Sequence, residues 1–87
     1  MSVTWYLYIV KCSNGTFYTG ITTDIARRIN QHNTGKGSKY IKNYGKAPVT
    51  LMYSETYPNR SEASKRECQV KKLSRKEKIK LIDESLN

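Results

Sequence analysis

The chain has 87 residues and a formal net charge of +9, with 16 Lys+Arg against 7 Asp+Glu, 7 tyrosines, 2 cysteines and a single histidine. That length supports one small domain, 1–87, which buries only about 60–65% of its unfolded surface and therefore has a thin core. No apolar run is long enough to span a bilayer as a helix and no charged-then-apolar leader opens the chain, so the expectation is a cytoplasmic protein. A charge surplus of this size points to a polyanionic partner, nucleic acid by default, against the plainer alternatives of a solubilising surface or a membrane-surface binder.

Residues 4–12 and 16–22 are rich in aromatic and β-branched types and read as two strands around Ser13-Asn14-Gly15. A two-residue Asn14-Gly15 turn would send Tyr8 and Tyr18 to opposite faces. A three-residue loop with Gly15 left-handed in a bulge places Tyr8 opposite Gly20 and Val10 opposite Tyr18. The second register sorts the residues better. Leu7, Ile9, Phe17 and Ile21 then share one apolar face, and Tyr6, Tyr8, Val10, Tyr18 and Gly20 share the other. In that register Gly20 leaves a gap beside the two tyrosines that a ligand backbone is expected to use.

Asp24 is placed to cap a helix over about 25–33. Residues 34–48, "TGKGSKYIKNYGKAP", hold three glycines, four lysines and a proline and read as a loop with room for a short helical turn. "VTLMYSE", 49–55, alternates as a third strand. A helix over about 61–73 follows, and Ser74-Arg75-Lys76-Glu77 fits a capping box that starts a last helix over about 75–85. The expected class is α+β, a three-stranded antiparallel sheet flanked by three helices in the order β-β-α-β-α-α. Cys12 and Cys68 form no metal-binding spacing and are expected to be small buried hydrophobes.

Two core-facing stripes carry charge. Ile25, Arg28, Ile29 and His32 fall at i, i+3, i+4 and i+7, so Arg28 and His32 are carried towards the sheet while Arg27, Asn30 and Gln31 are left to solvent. Ala63, Glu67 and Val70, with Leu73 beyond, form the second stripe. A guanidinium at a core margin is costly unless it meets an anion. Pairing of Arg28 with Glu67 is the structural account. An Arg28 that grips phosphate and a Glu67 that offers oxygen to a hard divalent cation is the functional one. His32 alone reads equally as a structural residue. The lysines around Glu67 are mostly a solvated face.

Together these residues resemble the GIY-YIG nuclease domain, and in particular its small stand-alone members. The first motif stands as "YLY" (Tyr6, Leu7, Tyr8) and the second as "YTG" (Tyr18, Thr19, Gly20). The arginine matches Arg28 in "TTDIARRI", a histidine of some branches matches His32, and the metal-ligand glutamate matches Glu67 in "KRECQVKKL". The resemblance covers about residues 4–80. Three positions depart from it: Tyr6 stands for the usual first glycine, Ile21 for a lysine of some repair nucleases, and Gln69 for a frequent asparagine.

The resemblance implies the GIY-YIG endonuclease fold and hydrolysis of DNA phosphodiester bonds, DNA more than RNA, on structured or damaged substrates in repair or recombination. It implies Mg2+ or Mn2+ held by Glu67. Tyr8 would be the base, Tyr18 would position water or phosphate, Arg28 would clamp phosphate, and His32 would take a tyrosine's proton or donate to phosphate. With no separate DNA-binding domain, substrate choice falls to this domain or to a protein partner. The alternative is a catalytically weak or inactive nucleic-acid-binding module.

Overall fold

A computed structural model describes residues 3–42 and 47–86. The elements run β1 (Trp5–Lys11), β2 (Phe17–Thr22), α1 (Ile25–Asn33), β3 (Thr50–Tyr57), α2 (Arg60–Lys71) and α3 (Arg75–Ser85). The order β-β-α-β-α-α is the expected one. The sheet is ordered β2-β1-β3 with both pairings antiparallel, so β1 lies in the centre. No helix among the described residues is long and apolar enough to cross a membrane.

The hairpin adopts the three-residue loop. Tyr8 pairs with Gly20 and Val10 with Tyr18. Gly15 takes φ +88°, a left-handed value that costs glycine little. Its N–H donates to the Cys12 carbonyl at 2.9 Å, and the Cys12 N–H donates to the Thr16 carbonyl at 2.8 Å. The alternation of β1 then feeds two cores. Tyr8, Val10 and Cys12 join Ile41 and Val49, with Tyr18 and Ile29 of α1 packed against them. Leu7 and Ile9 face the other way and meet Val70 of α2 and Ile82 of α3. Each fully buried aliphatic here contributes about 1.5–3 kcal/mol.

The helices start where side chains can cap them. Asp24 Oδ1 accepts from the Arg27 N–H at 3.1 Å, Asn59 Oδ1 from the Glu62 N–H at 2.9 Å, and Ser74 and Glu77 close a reciprocal capping box. Arg75 Nη1 donates to the Gly15 carbonyl at 2.7 Å, and the guanidinium lies 4.8 Å from the Phe17 ring centre, which ties α3 back to the first hairpin.

Some boundaries differ from the sequence expectation. β3 runs two residues further than expected because Tyr57 still pairs with Trp5, and Pro58 then ends it. α2 runs from Arg60 to Lys71 rather than over 61–73, since Asn59 supplies the cap. The segment 34–48 holds a helical turn at 39–42, and its residues 43–46 lie outside the described residues. The Val49 N–H donates to Asn33 Oδ1 at 2.7 Å, bringing the chain back to the end of α1. Cys12 is buried as expected, but Cys68 is exposed: it lies off the Ala63–Val70 stripe that α2 turns to the sheet. Gln31 is half-buried rather than solvated, because it receives Arg28.

Candidate functional site

Three rings gather on the α1 side of the sheet. Tyr8 on β1 and His32 on α1 are almost wholly buried, and Tyr18 on β2 is half-buried. Ring centres lie 6.4 Å apart for Tyr8–Tyr18, 6.0 Å for Tyr8–His32 and 5.4 Å, edge to face, for Tyr18–His32. Tyr40 stacks on the outer side of Tyr18 at 5.9 Å. Gly20 makes this packing feasible in a way the sequence reading missed. A Cβ at position 20 would lie 2.5 Å from the Tyr8 hydroxyl and 2.8 Å from its Cζ. The gap expected for a ligand backbone is therefore filled by the phenol of Tyr8 itself, which lies across its strand partner.

The Tyr8 hydroxyl and His32 Nε2 are 3.0 Å apart, and His32 Nδ1 accepts from the Ser38 N–H at 3.3 Å. Burial pushes the Tyr8 phenol up to about 12. The Arg28 guanidinium pulls against that as donor and as charge, while Tyr18 and the Glu67 carboxylate add to the rise. Burial, aided by the charge of Arg28, lowers His32 to about 4, so the ring is neutral at physiological pH.

Arg28 and Glu67 do not pair with each other. Arg28 Nη1 donates to Gln31 Oε1 at 3.0 Å. Glu67 lies 3.5 Å from the exposed Lys71 ammonium, and its own side chain is 22% exposed. The structural account of both charges as one buried ion pair therefore fails among the described residues. Arg28 also borders a hollow of about 300 Å³ between the strand ends and α1, together with Trp5, Ile21, Thr22 and Arg27. So Tyr8, Tyr18, His32 and Arg28 meet directly or at electrostatic range, and Glu67 reaches Tyr8 by its field from α2, which packs on β2 and β1.

No group of three or more His, Cys, Asp or Glu side chains able to hold a metal occurs among the described residues. One half-buried carboxylate with an exposed, weakly held counter-charge suits a cation that keeps most of its waters, as Mg2+ does. The donor chemistry at Glu67 thus fits a single-carboxylate Mg2+ site.

Two features escaped the sequence reading. The Gly37–Ser38 backbone lies against His32, and the only signal for it was the glycine spacing in "GKGS". A second tyrosine–arginine–glutamate cluster forms around Glu55, which the strand alternation did not single out.

Residues 4–80 match the GIY-YIG catalytic domain. A UPF0213 protein of Halobacterium salinarum is 48% identical over 77 residues, covering 88% of this chain and 97% of that one. A UPF0213 protein of Desulfotalea psychrophila is 52% identical over 82 residues, covering 93% and 73%. The solution NMR structure of a UPF0213 protein from Bacillus halodurans superposes with a TM-score of 0.58 at 42% identity, covering 92% of this chain and 83% of that one. That of a protein from E. faecalis gives 0.62 at 39% identity, covering 95% and 88%.

Proposed function

The chain belongs to the GIY-YIG catalytic domain family, a family of nucleases, and from that premise we propose that it is a divalent-metal-dependent endonuclease hydrolysing DNA phosphodiester bonds. The observation that carries the reading is the state of its charges. Arg28 and Glu67 both act on buried Tyr8, which is bonded to His32, and instead of pairing with each other Arg28 bonds neutral groups while Glu67 has the long pair with Lys71. A net charge of +9 adds a field that draws a polyanion.

In this reading Tyr8 first releases its own proton to solvent, the water that attacks phosphorus then gives its proton to the Tyr8 phenolate, and the bond to the leaving ribose oxygen breaks in line, that oxygen taking a proton from solvent. The Arg28 fork grips two phosphate oxygens and meets the charge that develops there. Tyr18 orients the water or a phosphate oxygen. Glu67 holds the cation, which when bound supplies the positive charge that neutralises phosphate and favours ionised oxygen nearby. His32 adjoins the base. Structured, nicked or single-stranded DNA in repair or recombination, within the cytoplasm and with a partner protein helping to target it, completes the proposal.

Purified chain is expected to nick supercoiled plasmid with Mg2+ or Mn2+, to stop on adding EDTA, and to be inactive as Glu67→Ala. Failure to cut any of a panel of branched, single-stranded and duplex DNAs would overturn the reading. Tyr8's phenol at about 12, with Ile21 where some repair nucleases carry lysine, favours one second reading, a binding module that does not cut. That module would show salt-sensitive, sequence-indifferent binding that survives Glu67→Ala.

A further inference from the structure

The loop "GKGS" has no role in the reaction as drawn, yet its backbone is pressed onto the one histidine of the chain. An added Cβ at Gly37 would run into His32 Nδ1 and lie 3.0 Å from its Cα, so only glycine lets the loop come this close. The next residue, Ser38, directs its backbone N–H at Nδ1 from 3.3 Å. A backbone amide is always a donor, so the nitrogen it faces must be bare. His32 is buried and neutral, and a neutral imidazole carries one ring proton. That proton is left to Nε2, which faces the Tyr8 hydroxyl at 3.0 Å.

We infer that Gly37 and Ser38 are positioning residues that lock His32 as the Nε2–H tautomer, so that His32 donates a hydrogen bond to Tyr8 and does not take its proton. The opposite arrangement, with Tyr8 O–H donating to Nε2, needs a proton on Nδ1 and would set two N–H groups against each other at Ser38. The consequence for the nuclease reading, on which this part rests, is a direction. Tyr8 Oη accepts from His32 behind it, and its own proton points forward, away from α1. When that proton leaves, the phenolate keeps a neutral donor already in place. Hydrogen bonding to the charged form favours it, which is what a buried tyrosine base requires. On this assignment His32 neither takes Tyr8's proton nor donates to phosphate, the two roles expected for it.

The sole histidine makes the test clean. In tag-free, 15N-labelled wild-type chain at neutral pH, two-bond proton–nitrogen spectra are expected to show Nε2 protonated and Nδ1 bare. An Nδ1–H form, an even mixture or an imidazolium would overturn the inference, whether or not the chain cuts DNA. Ser38→Ala keeps the amide and should leave the ring signature unchanged. Gly37→Ala should introduce the Nδ1–H form, and a Gly37→Ala chain with the wild-type signature would overturn the lock. In cleavage, His32→Gln, whose side-chain amide can offer N–H near the same place, is expected within about tenfold of wild-type kcat. His32→Leu is expected to lose about 10²–10³ in kcat with KM little changed. Equal losses in the two variants would overturn the donor role. If wild type cuts nothing while the spectra show Nε2–H, the nuclease reading falls and the hydrogen-bond direction stands.

Discussion

Among the described residues, two clusters bring tyrosine, arginine and glutamate together, and they behave oppositely. Around Glu55 the cluster is closed. Its carboxylate accepts from the Tyr57 hydroxyl at 2.6 Å, from the Tyr53 hydroxyl, and from Arg66 through Nε at 2.9 Å and Nη2 at 3.1 Å. Burial pushes the Glu55 carboxyl up, but the Arg66 fork and the two phenols outweigh it and hold it below the usual range. Both phenols are in turn pushed up to about 12, by burial first and by Glu55 second. Around Tyr8 the cluster is open. The arginine and the glutamate stand on different helices, each with a weak partner, and the buried phenol bonds a neutral imidazole. Tyrosine, arginine and glutamate in proximity therefore do not define a site. What separates the two is whether the opposite charges are already spent on each other.

The largest expected effect tests that difference directly. Arg28→Ala and Glu67→Ala should each cut plasmid nicking by at least about 10²–10³ while shifting stability by less than about 1 kcal/mol, read by thermal melting. Arg66→Ala should do the reverse. It leaves a partly buried Glu55 carboxylate without its fork, costs about 1–3 kcal/mol, and keeps nicking activity at temperatures where the chain stays folded. A loss of cleavage in Arg66→Ala at such a temperature would erase the distinction.

Acid pH should separate the two clusters without any loss of activity to interpret. His32 is lowered to about 4 in the folded chain, against about 6.5 when unfolded. As pH falls below 6.5 the unfolded chain binds this proton first, so stability declines down to about 4, where the folded ring titrates too. Glu55, also lowered, adds its loss only below the usual carboxylate range, near 4.5. Urea midpoints measured against pH should fall in those two stages, and His32→Gln should flatten the upper stage alone. The smallest effect is expected at Lys71. Its ammonium is exposed and its pair with Glu67 is long, so Lys71→Ala should cost only about 0.3–0.5 kcal/mol by the same urea titration, far below Arg66→Ala.

Legibility in the sequence followed the range of the interactions. The hairpin register could be read because a one-residue slip would have mixed Leu7 and Ile9 with the tyrosines, and Gly15 offered the left-handed residue the longer loop needs. The α1 stripe could be read because 3.6-residue periodicity leaves Arg28 and His32 nowhere else to go. Glu55 could not, because its meaning depends on how α2 crosses β3 and delivers Arg66 from eleven residues away. Gly20 has the strand partner that the hairpin register predicts, but it does not serve as a gap for a ligand. Its missing Cβ accommodates a neighbouring ring, and rotamers of that kind are not written in periodicity. The Ser38 contact was hidden in a loop whose path no pattern fixes.

The central place of β1 has one more consequence. Tyr8 rides on the strand that is bonded on both sides, whereas Tyr18 and Gly20 ride on β2, which is bonded on one side only in the described sheet. Amide hydrogens around Tyr8 should therefore exchange with solvent last and those on the outer side of β2 early. In the proposed reaction, a bulky, irregular nucleic acid would then be met by a wall that gives, while the atom proposed to handle the proton is held still.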